Sequence, residues 1–333
     1  MRIPFRISVV LWAIILVTLV GYAISRLLFF RSIFFEHAGI RLTQPEVATA
    51  AVEAAGPEAS SRIQHIPKII HNVFHNWRVP GNDTLPSDWA EMRQTCIDVN
   101  PDFEFKLWTE KASRDFIETE YPWFLRTYDG YRYPVQRVDA VRYFIMLHYG
   151  GIYMDLDNGC NTDLTPLLYY PVWVTDGGRG ALSNNILGAR PNHPFWHRLT
   201  LSLLPYDWKW PLPFVTIMYA SGQWFLTAMW EEYHALLPKP VDGQQHEHRL
   251  YRIMMDMAPG ADEWVFFTHQ RDGGGTWDNW DNTLFASIGD HLLLFFTLLF
   301  VAIGLLSWFG LRFYRKYRRG GYSRLKSRPG NVV

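Results

Sequence analysis

Two long apolar stretches bracket this 333-residue chain and constrain it more than anything between them. The first, ISVVLWAIILVTLVGYAIS between Arg6 and Arg26, holds no charge. Its length is close to the ~20 apolar residues that cross a hydrocarbon core as a helix. Arg2 and Arg6 would also suit the basic start of a cleaved signal peptide. The run exceeds the usual ~7–15-residue apolar core of such a peptide, however, and more hydrophobic sequence follows instead of a small-residue cleavage site. An uncleaved anchor over residues 7–25 is expected, preceded by a short cytosolic stretch, 1–6. The second run, HLLLFFTLLFVAIGLLSWFGL at 291–311, is followed by Arg312, Arg315, Lys316, Arg318 and Arg319, with Arg324, Lys326 and Arg328 behind. A basic excess of this kind marks the cytosolic side of a span. Residues 312–333 then form a basic cytosolic tail, both termini share a side, and everything from about 27 to 288 is expected in a lumen or outside the cell.

Between the spans, composition narrows the choice. A formal net charge of zero speaks against a nucleic-acid partner or a polyanionic substrate. The 15 Trp, 17 Tyr and 22 Phe suit membrane interfaces and stacking on sugar rings. Cys96 and Cys160 fit no paired metal spacing and leave two readings open, one disulfide or two buried thiols. Residues 26–65 read as a juxtamembrane segment and an Ala-rich stem, and a folded domain is expected over 66–286. There, short apolar strands alternate with helical patterns, which implies an α/β layered domain. PKIIHNVF and DFEFKLW read as strands, and SRDFIETEYPWFLRTYD as a helix with Thr109 or Ser113 as its cap. YPVQRVDAVRYFIMLHYGG reads as a helix that stops at Gly150-Gly151, and IYMDLD as a strand that ends in carboxylates. A sheet of this class builds its site at such a strand end.

Asp155 and Asp157 are one residue apart. In an extended segment both face one side, and Leu156 points the other way, into the core. Two hard carboxylates suit Mg²⁺ or Mn²⁺, with substrate phosphates completing the coordination. Spacing alone favours a solvated turn; the surroundings reverse that. RVDAVRYFIMLHYGGIYMDLD resembles the signature of DXD-containing glycosyltransferases of the GT-A fold. More narrowly it resembles the Och1-like family that includes fungal mannosylinositol phosphorylceramide synthases. IPKIIH at 66–71, EYPWFLRTYDGYRYPVQRVDAVRY at 120–143, SNNILGARPNHPF at 183–195 and PFVTIMYASGQWFL at 213–226 extend the resemblance over roughly residues 66–281.

The resemblance implies roles. Asp155 and Asp157 hold the metal. Asp139 accepts hydrogen bonds from donor hydroxyls and Arg142 stabilises the diphosphate, although their i, i+3 spacing also fits an ion pair within the helix. His71 and Asn72 meet the nucleotide base, unless His71 is a satisfied core histidine. Ser183, Asn184 and Asn185 approach the reacting sugar, or form a turn. The catalytic set is then Asp155, Asp157, Arg142 and Asn184. The third metal ligand is expected from GGGTWDNWDN at 273–282, with Asp278 first and Asp281 second, and Gly273–Gly275 as a closing lid. The implied reaction is a retaining, Mn²⁺- or Mg²⁺-dependent transfer of mannose from GDP-mannose to inositol phosphorylceramide, at the Golgi membrane, beside a multispanning regulatory subunit. The aromatic stretch YDWKWPLPFVTIMYASGQWF at 206–225 would rest on the lumenal leaflet or form core and groove wall. Two alternatives remain open, an N-glycan α-mannosyltransferase and a non-catalytic transferase-like membrane subunit.

Overall fold

The computed structural model describes residues 5–54, 63–178, 180–238, 248–256, 260–269 and 277–326. They fall into two units, Met1–Trp277 and Asp278–Val333. The first opens with helix α1 (Phe5–Phe35), which continues well past the expected anchor. Its last two turns enter the core: Ile33 is fully buried, and Phe29, Phe30 and Phe34 pack beside it. Strand β1 (Ile40–Leu42) and helix α2 (Gln44–Ala54) follow, where a stem was expected. They are part of the folded unit instead, because β1 pairs with a strand from far along the chain and Val47 is buried in the core.

Next come β2 (Ile69–Phe74), α3 (Ser87–Val99), β3 (Glu104–Thr109), α4 (Glu110–Glu120), α5 (Pro122–Gly130) and α6 (Pro134–His148). Thr109, not Ser113, caps α4 by accepting from the Ala112 N–H. The single helix expected here breaks at Tyr121 (φ −134°, ψ 52°), before Pro122. Proline has no N–H to continue the ladder and biases the preceding residue away from helical angles. The chain goes on through β4 (Gly151–Met154), β5 (Asn158–Cys160), β6 (Val172–Asp176), β7 (Ser183–Ala189), α7 (Pro194–Tyr206), α8 (Pro213–Ala220), α9 (Gln223–Leu236), β8 (Tyr251–Met254) and β9 (Phe267–His269).

Seven strands form one sheet in the order β1-β8-β6-β7-β4-β2-β3; β7 runs antiparallel to both neighbours and the other pairings are parallel. Alternate residues enter opposite layers of core, as a two-residue period requires. Tyr153, Val172, Val174 and Leu187 lie in one layer, Ile152, Met154, Trp173 and Ile186 in the other. Gly150 (φ 64°) and Gly151 (φ 88°) make the turn from α6 into β4. A Cβ on Gly151 would stand 2.6 Å from the Ile69 carbonyl of the neighbouring strand. Cys96 and Cys160 form a disulfide that ties α3 to β5 and resolves the two readings of the sequence.

In the second unit, α10 (Trp280–Asp290) starts with a capping box made by Asn279 and Asn282, and α11 (Leu292–Lys326) contains the second apolar run. By length and composition α1 and α11 are both able to cross a membrane, with apolar windows at Val17–Phe35 and Leu293–Arg312.

Candidate active site

Strand β4 delivers Asp155 at its carboxyl end, and β7 brings residues 183–185 to the same place because it runs the other way. The register Met154↔Ile186 puts the start of β7 beside the end of β4, and the Asp155 N–H donates to the Asn185 carbonyl at 2.8 Å. Asp155 and Asp157 lie in a tight turn, not in the extended segment expected, since the Asn158 N–H closes back on the Asp155 carbonyl at 3.0 Å. Leu156 is buried as anticipated, at 4% exposure, and both acids remain half-buried.

Beneath the turn lies a charged array in which Arg142 and Asp139 are enclosed by protein and Asp155 is half-buried. The Arg142 guanidinium is 3.3 Å from Asp139 and 3.4 Å from Asp155, and its Nη1 donates to the Asn184 carbonyl at 2.6 Å. The Tyr153 ring covers it at 4.7 Å. Burial alone would weaken the hold on its proton, but the carboxylate of Asp155, then Tyr153 and Asp139, keep its proton affinity above the ordinary value. Asp139 accepts from Asn184 Nδ2 and Ser221 Oγ, each at 3.0 Å; burial raises its pKa and Arg142 opposes that. Asp155 also accepts from the Tyr153 hydroxyl, and Asp157 from Asn158 Nδ2 at 2.8 Å. Asp157 is pushed up to about 6, first by burial and then by the charge on Asp155.

This pair meets a physical requirement of a divalent-cation site. Two like charges crowd each other, and each carboxylate is held through a single side-chain hydroxyl or amide donor, Tyr153 for Asp155 and Asn158 for Asp157. No group of three His, Cys, Asp or Glu side chains gathers around a common point among the described residues. Residues 86–173, which include all four charged residues, match the family described as "Glycosyltransferase sugar-binding region containing DXD motif". Mannosyl phosphorylinositol ceramide synthase SUR1 of Saccharomyces cerevisiae is 37% identical over 242 residues, 72% of this chain and 59% of that one. Inositol phosphoceramide mannosyltransferase 3 of Schizosaccharomyces pombe is 42% identical over 177 residues, covering 53% and 48%. Its namesake 1 from the same organism is 27% identical over 313 residues, covering 92% and 91%. Over residues 86–173 the chain is similar to the DXD-containing glycosyltransferases. It spans between about half and three fifths of the length of the first curated relatives it matches. A solved structure, the PaToxG glycosyltransferase, overlaps 58% of this chain and 79% of its own at 14% identity and a TM-score of 0.41, too distant to carry an argument.

The residues singled out from sequence divide into two groups. Asp139, Arg142, Asp155, Asp157, Asn184 and Asn185 converge on the end of β4. Ser183 joins them by donating to Asn185 Oδ1 at 2.6 Å, and all three residues of 183–185 lie in a strand, not a turn. His71 and Asn72 are instead spent inside the fold. His71 Nδ1 accepts from Trp108 Nε1 at 3.1 Å and Nε2 donates to the Gly150 carbonyl at 3.0 Å, and burial brings the ring down to about 3. Asn72 donates to the Met154 carbonyl at 2.9 Å and accepts from Arg93 at 3.2 Å, which pins β2 to the strand that carries the acids. Both side chains are buried with these polar atoms engaged, which matches the core-histidine alternative for His71. Arg142 is likewise inside: its donors already hold two carboxylates and a carbonyl, so it orders Asp155 from beneath.

Asp278 lies in the second unit, where its carboxylate accepts from Asn282 at 2.8 Å, and Asp281 is buried. Gly273–Gly275 lie outside the described residues. Sequence reasoning missed Ser221, Tyr153 and Tyr143. The Tyr143 hydroxyl donates to the Ser221 carbonyl at 2.8 Å and accepts from Asn184 at 3.3 Å. Ser221 stood in a quoted stretch, YASGQW, but only the fold reveals that it meets Asp139.

Proposed function

We propose that this chain transfers mannose from GDP-mannose to inositol phosphorylceramide, with retention of anomeric configuration, through a GT-A-type domain that needs a divalent cation. The observation that carries the reading is the buried Asp139–Arg142 pair that holds Asp155, with Asp157 beside it, in a chain whose relatives are named for that lipid product or for its acceptor. Mn²⁺ or Mg²⁺ on Asp155 and Asp157 would neutralise charge on the departing diphosphate. Arg142 and Tyr153 hold Asp155 in place for this. Asn184, fixed by Asp139 and Tyr143, and Asn185 with Ser183 line the approach of the donor sugar.

The same proposal includes a Golgi-membrane location, with α1 and α11 as spans, the basic run behind α11 on the cytosolic side, and the domain in the lumen. The Cys96–Cys160 disulfide suits such an oxidising compartment. The multispanning regulatory subunit belongs to this proposal as a membrane partner. The test is transfer of labelled mannose from GDP-mannose to inositol phosphorylceramide by the detergent-solubilised full chain with Mn²⁺, wild type against Asp157→Ala. The substitution is expected to lower kcat/KM by about a hundredfold or more. Equal activity of the two would remove the acidic pair from the mechanism, and transfer only to an N-glycan acceptor would replace the lipid.

A further inference from the structure

We propose that Arg26 and Trp210 form the subsite for the phosphodiester of the acceptor lipid, an inference that rests on the acceptor proposed above. Arg26 stands where α1 leaves its uncharged run, half-buried between the rings of Tyr22 and Phe29 at 5.5 and 5.2 Å. Its hydrogen bonds are long: Nη1 reaches the Tyr219 hydroxyl at 3.4 Å and Nη2 the Ser25 hydroxyl at 3.5 Å. Nε is enclosed with no acceptor among the described residues, and no carboxylate among them lies within ion-pair distance. An arginine in this state has donors and charge to spare, which is costly unless an anion satisfies them.

A second donor in the same condition lies across one ring. Trp210 Nε1 is enclosed with no acceptor among the described residues, and its indole meets Tyr219 edge-on at 5.7 Å. Tyr219 therefore separates two donors that lack acceptors. A phosphodiester oxygen entering beside its ring would supply both, with charge-assisted bonds to the guanidinium. Asp207, three residues before Trp210, has the opposite deficit: its Oδ1 is enclosed with no donor among the described residues. A sugar-alcohol hydroxyl satisfies such an oxygen.

Position ties this cluster to the chemistry. Tyr219 is on α8, and Ser221, which closes that helix, donates to Asp139 at 3.0 Å. One side of this helix end thus faces Arg26 and the other faces the charged array. In inositol phosphorylceramide the phosphodiester sits between the acyl chains and the ring that accepts mannose. The order in the protein is the same: apolar helix, Arg26, then the carboxylates.

The experiment uses the full chain in detergent with inositol phosphorylceramide as acceptor. Arg26→Gln is expected to raise KM for the lipid about tenfold or more, with kcat and KM for GDP-mannose within about twofold of wild type. Arg26→Lys recovers part of the loss, and Trp210→Phe raises the lipid KM without lowering thermal stability. An unchanged lipid KM in both Arg26→Gln and Trp210→Phe overturns the subsite, as does a fall in kcat and stability together that Arg26→Lys does not recover. Native mass spectrometry of lipid retained from micelles separates this from the parent proposal. Wild type is expected to keep inositol phosphorylceramide or phosphatidylinositol over ceramide, and Arg26→Gln to lose them. That result upholds the subsite even if no mannose is transferred, whereas equal retention of phosphatidylglycerol would make Arg26 a general anionic-lipid contact and overturn it.

Discussion

Arg142 performs three tasks at once, because it binds Asp139, Asp155 and the carbonyl of Asn184 from within the core. Replacing it with Met leaves Asp139 charged, buried and without a cation. Removing one partner of a buried pair costs about 3–5 kcal/mol, so Arg142→Met is expected to lose that much in urea unfolding and all measurable transfer. Arg142→Lys keeps a charge but lacks the planar fork that reaches several acceptors. It should unfold closer to wild type while kcat/KM falls about tenfold or more, and similar losses in both variants would deny the geometric role. The i, i+3 spacing of Asp139 and Arg142 was legible in the sequence, and so was the ion pair it allows. That the pair would also hold an acid thirteen positions downstream was not, since spacing within a helix says nothing of the strand packed beneath it.

Among the elements, β5 and the junction after α1 carry most of the consequence. The Cys96–Cys160 bond closes a separation of 64 residues and fixes the strand that follows the acidic turn. By chain entropy a loop of that size is worth about 4 kcal/mol. Reduction, or Cys160→Ser, is expected to lower unfolding stability by roughly that amount and to weaken Mn²⁺ activation before global unfolding; an unchanged midpoint under dithiothreitol would count against it. At the α1 junction, His37 Nδ1 lies 3.5 Å from the buried Asp176, which also binds Arg252 at 2.7 Å. The hydrogen bond that His37 donates to the Asp176 carboxylate raises the His37 pKa above its ordinary value. Burial pushes Asp176 up, but His37, the Gly178 N–H and Arg252 together bring it down to about 2. Glu231, which accepts from the Ala38 N–H at 2.9 Å, is raised to about 7 by burial. A histidine and a carboxyl that bind protons more tightly when folded lose their contribution as pH rises, whereas Asp176 loses its contribution as pH falls toward 2. The contribution of His37 and Glu231 should therefore fall from about pH 5 to pH 8, against the rise that buried His71 supplies up to its ordinary value, and His37→Gln should cost more in thermal midpoint at pH 5 than at pH 8.

For the whole first unit, the decisive point is where the fold begins. A chain starting at residue 66, the boundary expected from sequence, lacks β1 and leaves β8 as an exposed edge. It also loses Gln44, which donates to the Met254 carbonyl at 3.1 Å and accepts from the Phe266 N–H at 2.9 Å. Such a fragment is expected to aggregate on expression, as open edges do. A fragment of residues 26–277, which keeps the docked end of α1, should instead give one cooperative urea transition. Two equally soluble fragments would show that β1 and α2 are dispensable.

The sequence by itself determined the features that follow from local chemistry. Uncharged runs of about 20 residues must be helices suited to a membrane, and Gly150-Gly151 must end α6 just before the strand that leads into the acidic pair. Tertiary structure decided whatever depends on partners distant in the chain. It put residues 40–42 into the sheet, withdrew His71 and Asn72 into the core, made 183–185 a strand beside the acids, and joined Cys96 to Cys160. The physical reason is that a polar side chain is committed by whichever donor or acceptor the fold brings within about 3 Å, and that neighbour is set by strand order, which no local pattern encodes.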